Sequence, residues 1–253
     1  MATTIARMPE RRRITDNDPE AVLRQDLLSA FHIMDLYGHP SGLGAHLTAR
    51  LPGAEAFFFH IHNYGFGEVT PDHIHQADFE LNVLTGDVDI NPTLHIHTQI
   101  YKSRPDVVCV AHTHSKHVSA LSAIRTNLAQ VVQGAARFYQ DCVLFDEDDG
   151  VALGKGPGDA IAGALGDKSA MVLKNHGLLT VGTSIPEAVI LANSMEDIAE
   201  IQLLAMAAGP LDLQSDDGAV RTRQYLRSDK MIMRGWAYWM RKLARERPEI
   251  LNM

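Results

Sequence analysis

The sequence has few cysteines, few aromatic residues and no long apolar run. Its 253 residues include two cysteines, and 6% of them are aromatic. Two cysteines cannot form a disulfide framework, so we expect a reduced, cytoplasmic protein. No stretch approaches the roughly 18 consecutive apolar residues of a transmembrane helix. Residues 1–18 lack the apolar segment of a secretory signal, and none is expected.

Positive charge is also scarce. The 23 lysines and arginines stand against 31 acidic residues, for a formal net charge of −8, which argues against nucleic acid as a partner; nor do we expect a membrane partner. With 45% apolar residues the chain can bury a sizeable core. Residues 1–17 are polar and arginine-rich, and we interpret them as a flexible tail. Residues 18–253 are expected to form one domain that includes a basic, helical C-terminal region.

Helical and strand patterns alternate along the chain. Asp18-Pro19 and Asn91-Pro92 each pair a capping residue with a proline that suits the first helical turn. Ser184 and Glu187 have the spacing of a capping box. A hairpin turn is predicted around Thr85-Gly86-Asp87. Predicted strands cover 46–50, 57–62, 107–112, 142–145, 170–173 and 178–181, and the C-terminal helical region covers about 219–247. This order favours an α/β fold with helices on both faces of a mixed sheet.

Histidine is the abundant residue, with 13 copies and four His-x-His pairs. On a strand the two rings of such a pair share one face, whereas on a helix they stand about 200° apart and cannot bind one metal. The pair at 95 and 97 falls on a predicted helix, and the pair at 73 and 75 is expected at the surface. The pair at 60 and 62 lies on a predicted strand, and its role stays open.

The fourth pair, His112 and His114, closes a strongly apolar predicted strand. His176 follows another buried strand, at residues 170–173. Two strand ends that meet at one edge of a sheet commonly form a site. Three imidazoles leave at least one metal coordination position open, which is typical of catalytic rather than structural metal sites. We therefore predict that these three histidines bind one divalent metal.

These histidines lie in two motifs. Residues 112–115 read His-Thr-His-Ser, and residues 175–182 read Asn-His-Gly-Leu-Leu-Thr-Val-Gly. Together with Arg-Pro-Asp-Val at 104–107, they resemble the signatures of the class II aldolase/adducin family. The resemblance covers about residues 19–209. The Asn-Pro at 91–92 resembles the adducin-like bacterial branch of that family more than its aldolases.

The resemblance implies a three-layer α/β/α fold with a mainly antiparallel central sheet. It also implies a homotetramer, with active sites for a small-molecule substrate at the subunit interfaces. Each subunit would hold one divalent metal on His112, His114 and His176. Zn²⁺ is the first expectation for this metal, with Mn²⁺, Fe²⁺ and Co²⁺ as alternatives.

One departure from the family pattern bears on the reaction. The family's sugar-phosphate aldolases read Ser-Ser-Glu where this chain reads Asn91-Pro92-Thr93, so Thr93 occupies the position of the catalytic glutamate. We therefore favour a metal-dependent carbon–carbon lyase on a non-phosphorylated substrate. Decarboxylation of a hydroxylated aromatic or keto acid ranks slightly ahead of aldol cleavage. The alternatives are an Fe²⁺-dependent oxygenase at the same histidines and a non-catalytic, adducin-like assembly protein.

The remaining site predictions concern proton transfer and substrate binding. His97, Thr93 and Tyr139 are candidate proton donors, and His97 aligns with a histidine of many family members. Asn63 is a candidate substrate contact. In the family the C-terminal tail often covers a neighbouring active site. Arg234 and Tyr238 lie in this basic tail, and arginine suits a carboxylate, so we expect them to bind the substrate.

Overall fold

The computed structural model describes residues 18–39, 42–147 and 153–253. The predicted tail at 1–17 and most of the acidic loop after Glu147 lie outside these ranges. One seven-stranded sheet has the order β3-β2-β1-β4-β7-β6-β5. The strands are β1 (His46–Ala49), β2 (Ala56–His60), β3 (Ile74–Asp78), β4 (Cys109–Thr113), β5 (Cys142–Phe145), β6 (Ala170–Leu173) and β7 (Gly177–Gly182).

All neighbouring strands run antiparallel except the edge pair β5 and β6. Strand β4 lies at the centre between β1 and β7, and every residue of β4 and β7 is buried. Burial on both faces requires a covering layer on each side. The structure thus confirms the mainly antiparallel sheet that the resemblance implied.

Seven α-helices lie within the described ranges, and six of them cover the sheet. The seven are α1 (Pro19–Tyr37), α2 (His95–Ser103), α3 (Lys116–Ala123), α4 (Lys155–Leu165), α5 (Ile185–Ala208), α6 (Asp216–Leu226) and α7 (Asp229–Glu246). One apolar cluster joins residues of α1, α3, α5 and α7 to one face of the sheet. A second cluster joins residues of α2 and α4 to the other face. The two cores make the fold a three-layer α/β/α arrangement, as expected.

Local capping chemistry begins two of the predicted helices where the sequence placed them. The Asp18 side chain accepts a hydrogen bond from the Ala21 backbone N–H at 3.1 Å. The Ser184 hydroxyl likewise accepts from the Glu187 N–H at 3.3 Å. These contacts satisfy donors that have no partner within the first helical turn. None of the helices in the described ranges is both long and apolar enough to cross a membrane.

The hairpin predicted at Thr85–Asp87 was wrong. The chain reverses earlier, because the Asp78 carboxylate accepts from the backbone N–H groups of Glu80 and Asn82 at 2.8 and 2.9 Å. This side-chain capping closes the turn just after β3, a strand that the sequence pattern did not predict. Gly86 does adopt a positive φ of 79°, but it lies beyond the reversal.

The basic C-terminal region is helical, as predicted, and forms the two helices α6 and α7. Arg227 is the C-cap of the first helix and Ser228 occupies the N-cap position of the second, and the Ser228 hydroxyl donates to the Tyr225 carbonyl at 2.7 Å. The buried Asp141 carboxylate, next to β5, contacts Arg223 at 3.0 Å and Arg227 at 2.9 Å. These ion pairs join α6 and the α6–α7 connection to the edge of the sheet.

Candidate metal centre and its cavity

The three predicted metal ligands meet at one end of the central strands. His112 is part of β4, His114 follows it, and His176 lies in the turn from β6 to β7. Strand pairing brings that turn beside the end of β4, since Thr113 is opposite Leu178. One nitrogen from each ring lies within 4.8 Å of the other two. The tertiary structure therefore gathers these histidines as a candidate metal centre.

Gly177 makes this meeting possible. A Cβ built on Gly177 would lie 2.2 Å from the Thr113 carbonyl oxygen and 3.0 Å from the His114 Cα. Real Cβ atoms do not approach other atoms so closely, so only glycine lets the turn pack against β4. The preceding Asn175 adopts a positive φ of 51°, a conformation that asparagine tolerates better than most residues.

The protonation of the three rings suits a metal. The His112 Nδ1–H donates to the Leu178 carbonyl at 2.8 Å, which leaves its Nε2 lone pair directed at His114 Nε2, 3.1 Å away. Burial lowers the pKa of His112 and His114, and lowers the pKa of His176 to about 4. Neutral imidazoles offer lone pairs to Zn²⁺ or a similar divalent ion, so the donor set fits such a metal.

The three histidines open into a cavity of about 570 Å³. Much of its wall is apolar and comes from α2, α4 and the strands around them. The apolar lining includes Leu43, Pro92, Ile96, Phe145, Leu153, Pro157, Ile161 and Leu173. The polar lining outside the metal centre includes His62, Thr93, Glu147 and Lys174. Among the residues that the structure describes, no arginine lines this cavity.

Thr93 lies in the cavity wall, as a site residue should, but His97 does not. The His97 ring is fully buried behind His46, and its Nε2 is 2.7 Å from His46 Nδ1. His46 itself lines the cavity, and its Nε2 is 3.1 Å from the Thr93 hydroxyl. The prediction of His97 as a proton donor at the site is not supported by this placement, because His46 stands between the His97 ring and the cavity.

Tyr139 is separated from the cavity within one chain. It precedes β5, whereas Phe145 at the other end of that strand lines the cavity. Its hydroxyl accepts from Gln140 Nε2 at 3.3 Å and faces Asp216. The interpretation of Tyr139 as a proton donor in its own chain's site is not supported by this placement.

The three predicted substrate contacts also lie outside the cavity of their own chain. Asn63 is exposed, although its neighbour His62 lines the wall. Tyr238, on α7, is 51% exposed and stacks edge-on against Trp239. Arg234, one turn earlier, lies 3.9 Å from the Met231 sulfur. Contact between these residues and a substrate stays a prediction that would require a second subunit.

Among the described cavity residues, His46, Glu147 and Lys174 are polar groups that the sequence did not identify as part of the site. His46 belongs to no His-x-His pair and reaches the site because β1 places it opposite His112. Glu147 stands in an acidic stretch that follows β5, and it lines the cavity. Lys174 lines it too, with its ammonium 3.7 Å from an Asp146 carboxylate oxygen. Their only sequence signal was proximity to the ends of predicted strands.

Known proteins resemble this chain in both sequence and fold. Residues 25–203 match the class II aldolase and adducin N-terminal domain. Decarboxylase NovR of Streptomyces niveus is 31% identical over 197 residues, which cover 76% of this chain and 73% of that protein. The 4-hydroxy-3-prenylphenylpyruvate oxygenase/4-hydroxy-3-prenylbenzoate synthase of Streptomyces roseochromogenus subsp. oscitans is 31% identical over 208 residues, covering 81% and 74%. The L-fuculose 1-phosphate aldolase of Glaciozyma antarctica PI12 superposes with a TM-score of 0.83 at 29% identity, covering 91% and 92%.

Proposed function

The chain belongs to the class II aldolase and adducin family, and from this we propose that it is a divalent-metal-dependent carbon–carbon lyase. Its proposed substrate is a non-phosphorylated hydroxy or keto acid with an apolar or aromatic body, and decarboxylation is the favoured reaction. The observation that carries this proposal is the three-histidine cluster at the base of a largely apolar cavity. The name of the NovR relative, a decarboxylase, points in the same direction.

A divalent ion held by the three histidines would stabilise the negative charge that develops as the carbon–carbon bond breaks. The residues of the chain supply the rest of the site. His112, held by the Leu178 carbonyl, keeps its Nε2 directed at the centre. Because three protein ligands converge there among the residues that the structure describes, positions remain for the substrate oxygens.

The cavity wall indicates the class of substrate. Side chains such as Ile96, Phe145 and Ile161 offer apolar surface that would remove an aromatic or prenyl group from water. A phosphate dianion would need several donors or cations. Within the described part of the wall, Lys174 is the lone cationic side chain of lysine or arginine type, and the acidic residue Asp146 already lies beside it. A sugar phosphate is therefore disfavoured.

The residue at position 93 bears on the reaction type. An aldol cleavage needs a general base, and a threonine hydroxyl is a poor one at neutral pH. Decarboxylation begins without removal of a carbon-bound proton and needs a proton donor afterwards. Among the described lining residues, Glu147 is the one carboxylic side chain. We therefore assign the proton-donor role to Glu147 rather than to His97 or Tyr139.

A second candidate is an oxygen-dependent reaction at the same three histidines. The relative named as an oxygenase and benzoate synthase, 31% identical to this chain, favours it specifically. Three imidazoles also accept Fe²⁺. The non-catalytic, adducin-like alternative is less favoured, because a protein without chemistry has no physical need for three converging neutral histidines.

The proposal includes the family's homotetramer, with cavities at the subunit interfaces. Such an assembly could bring Tyr139, Arg234 and Tyr238 to the cavity of a neighbour. Mixing a His114→Ala chain with an Arg234→Ala chain tests this. Mixed oligomers should regain part of the activity, because some cavities would then combine an intact metal centre with an intact tail. Activity no higher than the sum of the two separate variants would contradict it.

The reaction is tested by measuring CO₂ release from a panel of aromatic hydroxy and keto acids, with and without oxygen. Protein loaded with Zn²⁺, Mn²⁺, Co²⁺ or Fe²⁺ should release CO₂ without oxygen, and His114→Ala should lose both bound metal and activity. His75→Ala is the matched control, because His75 lies on β3 and does not line the cavity. A strict oxygen requirement would instead support the oxygen-dependent reaction. Absence of both bound metal and turnover would support the non-catalytic, adducin-like alternative.

A further inference from the structure

A chain of hydrogen bonds runs from the cavity wall into the protein interior. It begins at Thr93 and passes behind the metal centre, since the His46 ring lies 4.7 Å from the His112 ring between centroids. Except for the half-buried Thr93, every member is buried. We call this set the Thr93 network, and its members are Asn91, Thr93, His46, His97, Thr48 and Tyr101.

The direction of the first bond is fixed by local geometry. The Asn91 side-chain oxygen accepts from the Thr93 backbone N–H at 2.9 Å, and an amide nitrogen in its place would oppose another donor. The Thr93 hydroxyl oxygen is 2.7 Å from that same Asn91 oxygen. Two oxygens this close require a hydrogen between them, and the amide oxygen carries none. The Thr93 hydroxyl therefore donates to Asn91.

The remaining directions follow in sequence. The Thr93 hydroxyl hydrogen already bonds Asn91. The 3.1 Å contact between the Thr93 hydroxyl oxygen and His46 Nε2 must therefore be a hydrogen bond that the His46 Nε2–H donates. With the His46 hydrogen on Nε2, its Nδ1 is the acceptor of the His97 Nε2–H at 2.7 Å. His97 Nδ1 accepts in turn from the Thr48 hydroxyl at 2.7 Å. Tyr101 completes the series by donating to Thr48 at 2.8 Å.

This order determines what Thr93 can offer to a ligand. Its hydrogen is used by Asn91, and one of its two acceptor positions is used by His46. One acceptor position remains on a residue that lines the cavity. We propose that the Thr93 oxygen is a fixed acceptor that selects ligands carrying an O–H or N–H beside the metal centre. His46 and His97 are positioning residues that maintain its direction.

The consequence is a specificity rule for the cavity. A ligand with a hydroxyl at this point gains a hydrogen bond, whereas a ligand with an ether or keto oxygen there faces another acceptor. This assignment also removes Thr93 from the candidate proton donors. It rests on the proposed function only in assuming that ligands bind at the three-histidine centre.

The first test is independent of metal and of activity. In metal-free protein labelled with ¹⁵N-histidine, long-range ¹H–¹⁵N spectra report which ring nitrogen carries the hydrogen, and His46→Gln and His97→Gln spectra assign the signals. The Thr93 network requires the Nε2–H form at both His46 and His97. An Nδ1–H form at either residue would reverse the direction of these hydrogen bonds and overturn the proposal.

The second test measures selection directly. Benzohydroxamate and N-methylbenzohydroxamate present the same two oxygens to a metal, but only the first carries an N–H donor. Their binding to Co²⁺-loaded protein can be followed by visible absorption. Wild-type protein should prefer the N–H ligand by about tenfold, the size of one hydrogen bond. An equal affinity for both ligands would overturn the proposal.

Variants separate the hydrogen bond from the size of the methyl group. Thr93→Val keeps the shape of the side chain and should abolish most of the preference, whereas Thr93→Ser should retain it. His97→Gln should weaken the preference without changing metal content, because it acts through His46. A preference unchanged in Thr93→Val at full metal content would refute the assignment. If Thr93→Val does not fold, the serine and His97 variants still decide the question.

Failure of this inference can be told apart from failure of the proposed function. If the protein releases no CO₂ but shows the predicted ring forms and ligand preference, the lyase proposal fails and the specificity rule stands. If CO₂ is released but the preference is absent, the reverse conclusion applies.

Discussion

Replacement of Gly177 by alanine should disrupt the metal centre without altering any metal ligand. The new Cβ would lie 2.2 Å from the Thr113 carbonyl oxygen, where an ordinary contact is at least 3.4 Å. The turn carrying His176 must therefore retreat from β4 by about 1 Å. Metal–ligand distances tolerate only about 0.2 Å. Displacement of one of three ligands should weaken metal affinity by at least the 10- to 100-fold typical of lost supporting contacts.

The assay is Zn²⁺ affinity measured by competition with a chromophoric chelator, together with the melting temperature of the metal-free protein. Gly163→Ala is the matched control. Gly163 lies in α4 with nothing within 4 Å of an added Cβ, so alanine there should leave metal affinity unchanged and stabilise the helix by about 0.5–1 kcal/mol. Wild-type Zn²⁺ affinity in Gly177→Ala would refute the claim that this close approach positions His176.

Three further predictions concern catalysis, stability and pH. Glu147→Gln should lose most CO₂ release while binding metal normally, because the amide cannot supply a proton in the cavity; turnover and metal content check it. Arg227→Met should lower the free energy of unfolding by about 2 kcal/mol, since it removes an ion pair with the buried Asp141; urea unfolding measures this. Metal-free protein should lose stability as the pH falls from about 6.5 toward 4, because burial lowers the pKa of His39 to about 4 and the unfolded chain then binds more protons. A melting-temperature series should show this slope, reduced in His39→Gln.

Controls and contrary results accompany these predictions. Glu55→Gln changes a carboxylate outside the metal cavity and should leave turnover intact; equal activity in the Glu147 variant would remove Glu147 from the reaction. The Arg227 effect is set below the 3–5 kcal/mol of a wholly unpaired buried charge, because Arg223 still contacts Asp141. Unaltered urea unfolding would show that these ion pairs do not stabilise the fold. A melting temperature that does not change over this pH range would contradict the buried, neutral state of His39.

Much of the fold was accessible from local sequence. Asp18 and Ser184 begin helices through hydrogen bonds that span three residues, so the sequence alone contains both partners. The turn after β3 shows the limit of such reasoning. Gly86 was the more familiar turn signal, yet the chain turns earlier, where the Asp78 carboxylate accepts from the backbone N–H groups of Glu80 and Asn82.

The candidate site likewise contains residues that the sequence predicts and residues that it does not. His112 and His114 could be paired in the sequence because residues two apart on an extended chain share a face, and His176 followed from the family motif. His46 and Glu147 could not be predicted, because their neighbours in the cavity are distant in sequence. His97 was misplaced for the same reason, since a helical pattern gives spacing along a face but not the element that the face meets.

The sequence by itself therefore determined the family, the alternation of elements and the three histidines able to bind a metal. Each of these depends on short-range periodicity, capping chemistry or a contiguous motif. Only the tertiary structure decided which other groups surround that centre. The register of β1 against β4 sets His46 opposite His112, and the missing side chain of Gly177 admits the turn that carries His176. Such choices depend on the packing of strands far apart in the chain, which no local pattern records.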